Sequence, residues 1–288
     1  MSKKDKNKKN KIRLGVVLLF LSGLIVLFYP LISRTYYDYR GNEEANHYQE
    51  GLVQISTTEA EEKLQLGHAY NQALLTADVT PLGDPFSEEE KVEGVAAYAE
   101  SIEIREKIGV LTIPKINMKF PIFAGTHEDV LQQGVGHLEG TSLPIGGLNT
   151  NSILTAHRGL AENKLFTDLD QVNVGDLFFL ETIAGQLAYK VIETKVIEPT
   201  EIEALKIEKN QDLVTLLTCT PFMVNTHRLL VIGERTEVPE EEKEEAMAIR
   251  WWEHLYSLIR EYIWIILGLA ALLLVLFIRS LWKAKGRD

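Results

Sequence analysis

Two long apolar runs bracket a middle region that alternates apolar and polar residues. Leu14 to Ile32 is a stretch of 19 residues without charge, and Tyr262 to Ile278 is another of 17. With a helical rise of about 1.5 Å per residue, each comes close to the ~20 residues that cross a hydrocarbon core. The first runs into Tyr29-Pro30 and Arg34-Thr35-Tyr36-Tyr37 with no small-x-small cleavage pattern, so it reads as a retained span rather than a signal peptide. Trp251, Trp252, Tyr256, Tyr262 and Trp264 on one side and Trp282 on the other mark the second as a span with interfacial aromatics.

Between the runs the period changes twice. From about Asn42 to Leu75 the chain is polar and helix-prone, with spaced apolar positions at Leu52, Ile55, Leu64 and Leu66. This predicts a stalk or an appended helix. The turn residues of Thr80-Pro81-Leu82-Gly83-Asp84-Pro85-Phe86 end it, and Ser87-x-x-Glu90 predicts a capped helix through about Arg105. Beyond that point short strands are predicted at 108–113, 120–123, 152–156, 176–181, 187–197, 212–219 and 228–235. They are rich in Val, Ile, Leu, Phe and Thr and bounded by Gly, Pro or Asn. Helical pieces are predicted at 127–133, 164–170 and 200–205. Strands without regular βαβ alternation predict a mostly β fold, a largely antiparallel barrel or sandwich. Residues 236–250 are Glu/Lys-rich and lead to the second apolar run as a helix or linker.

Charge orients this scheme. Residues 1–13 carry a net +6 and residues 279–288 a net +3, while the whole chain is −11. Removing the two basic ends leaves −20 on residues 14–278. By the positive-inside rule both ends face the cytoplasm and the acidic middle lies outside. So acidic an exterior offers nothing to neutralise phosphates, which excludes nucleic acid as a partner.

Cys219 is the one cysteine, in Thr215-Leu216-Leu217-Thr218-Cys219-Thr220-Pro221. An exported lone thiol cannot form an internal disulfide, so it is either an inert core residue or a nucleophile. If strands 212–219 and 228–235 pair antiparallel with Cys219 opposite Arg228, then Leu217 faces Leu230 and Thr215 faces Ile232. A guanidinium then lies beside the thiol and favours thiolate. Seven histidines could serve as acid or base. His157 ends an apolar strand before Arg158-Gly159, a place from which a side chain can reach a cleft. His47, His68, His127, His137, His227 and His254 stay open on spacing alone. No carboxylate in these motifs is placed to orient His157. The histidines lack metal-ligand spacing, and no phosphate-binding glycine loop is present, so neither cofactor nor metal is expected.

Thr155-Ala156-His157-Arg158-Gly159, Leu217-Thr218-Cys219-Thr220-Pro221 and Asn225-Thr226-His227-Arg228-Leu229 together resemble the sortases, membrane-bound cysteine transpeptidases of Gram-positive bacteria. The similarity runs from about Ile108 to Arg235 and includes Gly134 to Pro144 and Leu165 to Leu169. A C-terminal span and Asp84-Pro85-Phe86 upstream of the barrel are similar to the pilin-polymerising class C. The resemblance implies Cys219 as nucleophile, His157 as acid and base, and Arg228 as the oxyanion's partner. It also implies a lid in which Asp84 pairs with Arg228 and Phe86 packs over Cys219. The fold it implies is mostly β: a sortase-like closed β-barrel with short helices, an N-terminal helical extension with a lid, and two transmembrane helices. The organisation expected is a cytoplasmic basic tail over 1–13, a span over 14–33 and an extracellular helical extension over 34–106 with the lid at 82–86. A catalytic barrel follows over 107–236, then an acidic juxtamembrane linker over 237–261, a span over 262–278 and a basic tail over 279–288. The implied partners are secreted pilins carrying an LPxTG-like sorting signal and an acceptor lysine. The competing readings are a sortase that anchors proteins to cell-wall peptide amines, a membrane-anchored cysteine peptidase, and a non-catalytic envelope binding protein with Cys219 in its core.

Overall fold

The computed structural model describes residues 3–76, 84, 86, 99, 101–160, 163–239, 241, 243, 267 and 268. Over much of the segment before residue 40 it describes the backbone without the side chains. Contacts divide the chain into Met1–Ile249 and Arg250–Asp288. Only Leu267 and Gly268, both helical, are described in the second unit.

Eight strands close into a barrel: β1 (Gly109–Ile113), β2 (Met118–Ala124), β3 (Val135–His137), β4 (Thr150–Thr155), β5 (Leu177–Thr182), β6 (Gly185–Ile197), β7 (Asp212–Thr220) and β8 (His227–Thr236). Around the barrel their order is β1-β2-β3-β4-β7-β8-β6-β5. Most neighbours are antiparallel, but β2–β3 and β4–β7 run parallel. β3 is not among the expected strands, because three residues with a glycine at the centre carry no readable period-2 signal. It exists because β2 and β4 hold it from both sides.

Alternation along the strands makes two cores. Leu154, Val214, Leu216, Leu229 and Val231 point inward and pack with Leu111, Leu180 and Tyr189. Leu138, Ile153, Ile197, Leu205, Leu217 and Leu230 form a second cluster, with Phe86 packed against it. This second cluster covers the opposite face of the β4–β7–β8 sheet, so both faces of β7 are buried. That is why Leu213 to Cys219 are all buried and none carries a charge.

The N-terminal extension is not a detached stalk. Helix α1 runs from Lys3 to Gln54 and α2 from Thr57 to Thr76. Near its end α1 lies close against β2: a Cβ added at Gly41 would stand 2.5 Å from the Phe120 ring. Ala45 and Tyr48 are buried with Ile104 and Val110. In α2, the Asn71 amide pairs with the backbone of Leu143, donating to its carbonyl at 3.2 Å and accepting from its N–H at 2.7 Å. A glycine where helix meets strand and an amide that imitates a backbone partner both bring the helices into close contact.

One expectation is corrected, and the two membrane spans find no support among the described residues. Among the described residues no helix is long and apolar enough to cross a membrane. The apolar stretch over 14–33 falls within α1, where it is one part of a much longer helix that is Lys-rich before it and polar beyond it. The stretch over 262–278 lies outside the described residues apart from Leu267 and Gly268. The helix expected through Arg105 does not extend that far, since residues 101–102 form a turn and Ile104 bridges Lys107. Its start at Ser87 lies outside the described residues. The short helix α3 (Glu128–Gln133) and the 3-10 turns Leu165–Gln171 and Ile202–Leu205 stand within a residue or two of expectation.

Candidate active site

β7 and β8 pair with Cys219 opposite Arg228, Leu217 opposite Leu230 and Thr215 opposite Ile232, the register that alternation suggested. Cys219 is 6 % exposed and Arg228 7 %. The pairing places thiol and guanidinium together at one end of the strands. His157 arrives from β4, which runs parallel to β7 with Thr155 opposite Leu217. His157 and Cys219 each lie two residues past that last pair, so continuing the register sets them side by side.

Arg228 is held from two directions. Its Nη1 donates at 3.0 Å to the carbonyls of Asn225 and His227, which orient the group from within the β7–β8 turn. Its other edge grips Asp84: Nε donates to Oδ1 at 2.7 Å, and Nη2 donates to Oδ2 in a very short contact. Both side chains of this pair are largely buried. Phe86 follows. Its ring centroid is 5.5 Å from that of His157 and 5.3 Å from the Arg228 guanidinium carbon. An aromatic face against a partly desolvated cation adds attraction of about 0.5–2 kcal/mol. Phe86 therefore lies against both His157 and Arg228, while Asp84 is bound to Arg228.

The electrostatics follow from this packing. Burial raises the Cys219 thiol above its ordinary range; Arg228 pulls it back down, and Asp84 pushes it up again. Burial, with a smaller contribution from Asp84, favours the neutral thiol against the pull of Arg228 toward thiolate.

Two residues beyond the sequence-based assignment belong to the same region. His157 Nε2 lies 3.2 Å from Glu128 Oε1, at the first turn of α3, so a carboxylate does reach the imidazole. No spacing links residues so far apart. Arg158, next to His157 in the chain, is the second. Its side chain is 6 % exposed and bonds to Thr167, Asp170 and Thr220.

The other histidines lie elsewhere. His137 is fully buried, with Nε2 2.8 Å from the Ser142 carbonyl. His227 pairs with Thr220 and is exposed. His47 and His68 lie on α1 and α2, and His127 caps α3. His254 is outside the described residues. Among the described residues no group of three or more His, Cys, Asp or Glu side chains could hold a metal ion.

Comparison with known proteins places this arrangement. The family model described as the sortase domain matches residues 111–236. Sortase D of Bacillus subtilis is 30 % identical over 136 residues, which cover 46 % of this chain and 66 % of that protein. Among solved structures, sortase C1 of Streptococcus agalactiae in complex with MTSET is 48 % identical with a TM-score of 0.63. The match covers 68 % of this chain and 99 % of that one. Sortase C-1 of Streptococcus pneumoniae is 46 % identical with a TM-score of 0.66, over 68 % of this chain and all of that one. Identity near one half along nearly the whole length of these structures, on the same closed barrel, goes well beyond a shared fold. The chain belongs to the sortase family of cysteine transpeptidases, and the solved structures similar to it include C-type sortases.

Proposed function

We propose that this sortase polymerises pilins, with Cys219, His157 and Arg228 as its reacting groups and Asp84-Pro85-Phe86 as its lid. Cys219 thiolate attacks the carbonyl of the threonine in an LPxTG-like sorting signal. The threonine–glycine C–N bond breaks, His157 protonates the departing amine, and a thioacyl enzyme remains. A lysine amine of a second pilin then attacks the thioester and loses its proton to His157. The sulfur leaves, and an isopeptide bond joins the subunits. One amide replaces another, so the reaction needs no nucleotide.

The observation that carries this reading is the Asp84–Arg228 pair. Asn225 and His227 fix one edge of the guanidinium, which leaves Nε and Nη2 aimed at a single site. Asp84 fills that site at rest. A tetrahedral oxyanion carries its charge on oxygen much as a carboxylate does, so the donors that hold Asp84 suit it once the lid leaves. The lid also serves specificity. A covered thiol reaches substrate only through the open fraction, which restrains hydrolysis of stray peptides.

Sortases are typically membrane-associated in Gram-positive bacteria. For this chain we place the anchors at 14–33 and 262–278, with both basic termini cytoplasmic and the barrel outside. The support is the run of uncharged residues and the charge on the two ends.

The test uses the full chain in detergent or vesicles with an LPxTG-type peptide and a pilin. A covalent peptide–pilin product is expected from the parent and from neither Cys219→Ala nor His157→Ala. Arg228→Lys also fails, because a point charge cannot replace a planar fork. Cleavage with no joined product would instead make the protein a hydrolase.

A further inference from the structure

The β4–β7 ladder stops short of the residues that matter. Its last parallel pair is Thr155 with Leu217, and the contacts beyond it become sparse. The Ala156 N–H donates to the Leu217 carbonyl at 3.4 Å, and Thr218 Oγ1 donates to the Ala156 carbonyl at 2.7 Å. The next link is made by side chains: Arg158 Nη1 donates to Thr220 Oγ1 at 2.9 Å. Arg158 and Thr220 carry the same offset as Thr155 and Leu217. The two side-chain links therefore stand immediately before and after the position where His157 and Cys219 come abreast.

Arg158 is suited to this place. Its Nε donates to the Thr167 carbonyl at 3.2 Å and its Nη2 to Asp170 Oδ2 at 2.6 Å. Both acceptors belong to the 3-10 segment Leu165–Gln171. That segment also grips the histidine loop directly, through Phe166 N–H to the His157 carbonyl at 3.1 Å and Gly159 N–H to Thr167 Oγ1 at 3.2 Å. One planar guanidinium thus ties the loop after His157, the strand end after Cys219 and a third element together. A lysine has the charge but not the fork.

We propose that Arg158 is a positioning residue for the transfer reaction, holding His157 in register with Cys219 where the backbone ladder no longer does. This rests on the reading of His157 and Cys219 as the reacting pair. Proton transfer to the departing amine requires the imidazole within hydrogen-bond reach, and a displacement of about 1 Å can cost roughly 100-fold in rate.

The experiment compares full-length parent, Arg158→Ala, Arg158→Lys, Thr220→Val and the Arg158→Ala/Thr220→Val double variant. It measures single-turnover thioester formation with an LPxTG-type peptide, KM, and thermal melting. Arg158→Ala is expected to lower the rate by about 10-fold to about 100-fold with KM little changed. Added guanidinium should restore part of that rate, Arg158→Lys should recover less than half of it, and the double variant should be no slower than Arg158→Ala. A purely structural role predicts otherwise: a lower melting temperature, with the folded fraction reacting at the parental rate. That result, additive losses in the double variant, or no rescue by guanidinium would each overturn the proposal. His157→Ala separates the two levels. Activity surviving in it removes the underlying assignment, whereas its loss alongside a parental rate in Arg158→Ala removes the positioning role alone.

Discussion

At the scale of single residues, Cys219 is governed by its charged neighbours. Burial and Asp84 favour the protonated thiol, and Arg228 favours thiolate. Asp84→Ala removes one of the two influences that raise it. The alkylation rate of Cys219 plotted against pH should then show its inflection at lower pH than in the parent; coincident curves would disprove the coupling. Glu128 is a weaker case despite its contact with His157. Its side chain is 44 % exposed, and exposed ion pairs contribute about 0–1 kcal/mol. Glu128→Ala should therefore slow transfer by less than roughly fivefold. A loss of several hundredfold would mean that this carboxylate acts as the third member of a protease-like triad.

At the scale of elements, the proposed lid and α1 cover the barrel in two different ways. Asp84 and Phe86 are held by one ion pair, one cation–ring contact and an apolar cluster, all of which can be undone together. If closure is worth about 1.4 kcal/mol, roughly one molecule in ten stands open. Asp84→Ala combined with Phe86→Ala should then raise alkylation of Cys219 by about tenfold. Helix α1 is attached differently, by close approach. A side chain at Gly41 would meet the Phe120 ring at 2.5 Å, and overpacking of this kind costs about 1–3 kcal/mol. Gly41→Val should lower the melting temperature of the barrel while leaving the lid contacts of Arg228 intact, as read by unchanged thiol reactivity in the folded protein.

At the scale of the whole molecule, stability should depend on acid through His137. Burial lowers its pKa from 6.5 to about 4, partly offset by its bond to the Ser142 carbonyl. Between those values the unfolded chain binds more protons than the folded one, so stability falls as pH drops through the window. The loss approaches about 3 kcal/mol at the acid end. Denaturant unfolding of the parent and of His137→Gln between pH 7 and pH 4 tests this. The variant should show the flatter dependence, and parallel curves would exclude His137 as the cause.

Seven of the eight strands were legible because period-2 alternation and turn residues are local properties. Each needs only a few neighbours in the chain to be recognised. The Cys219–Arg228 register was legible for the same reason, since a single antiparallel pair with apolar residues on one face admits few alignments. β3 was not legible, because its three residues exist as a strand only through neighbours on both sides. By itself the sequence determined the chemistry available: one thiol, a histidine at a strand end, an arginine opposite the sulfur, and an acidic middle between basic ends. Tertiary structure alone decided which further groups meet around them. The Glu128–His157 and Arg158–Thr220 contacts join residues 29 and 62 positions apart. Such contacts form only once barrel closure has brought separate loops to the same strand ends, and no local pattern encodes where those loops arrive.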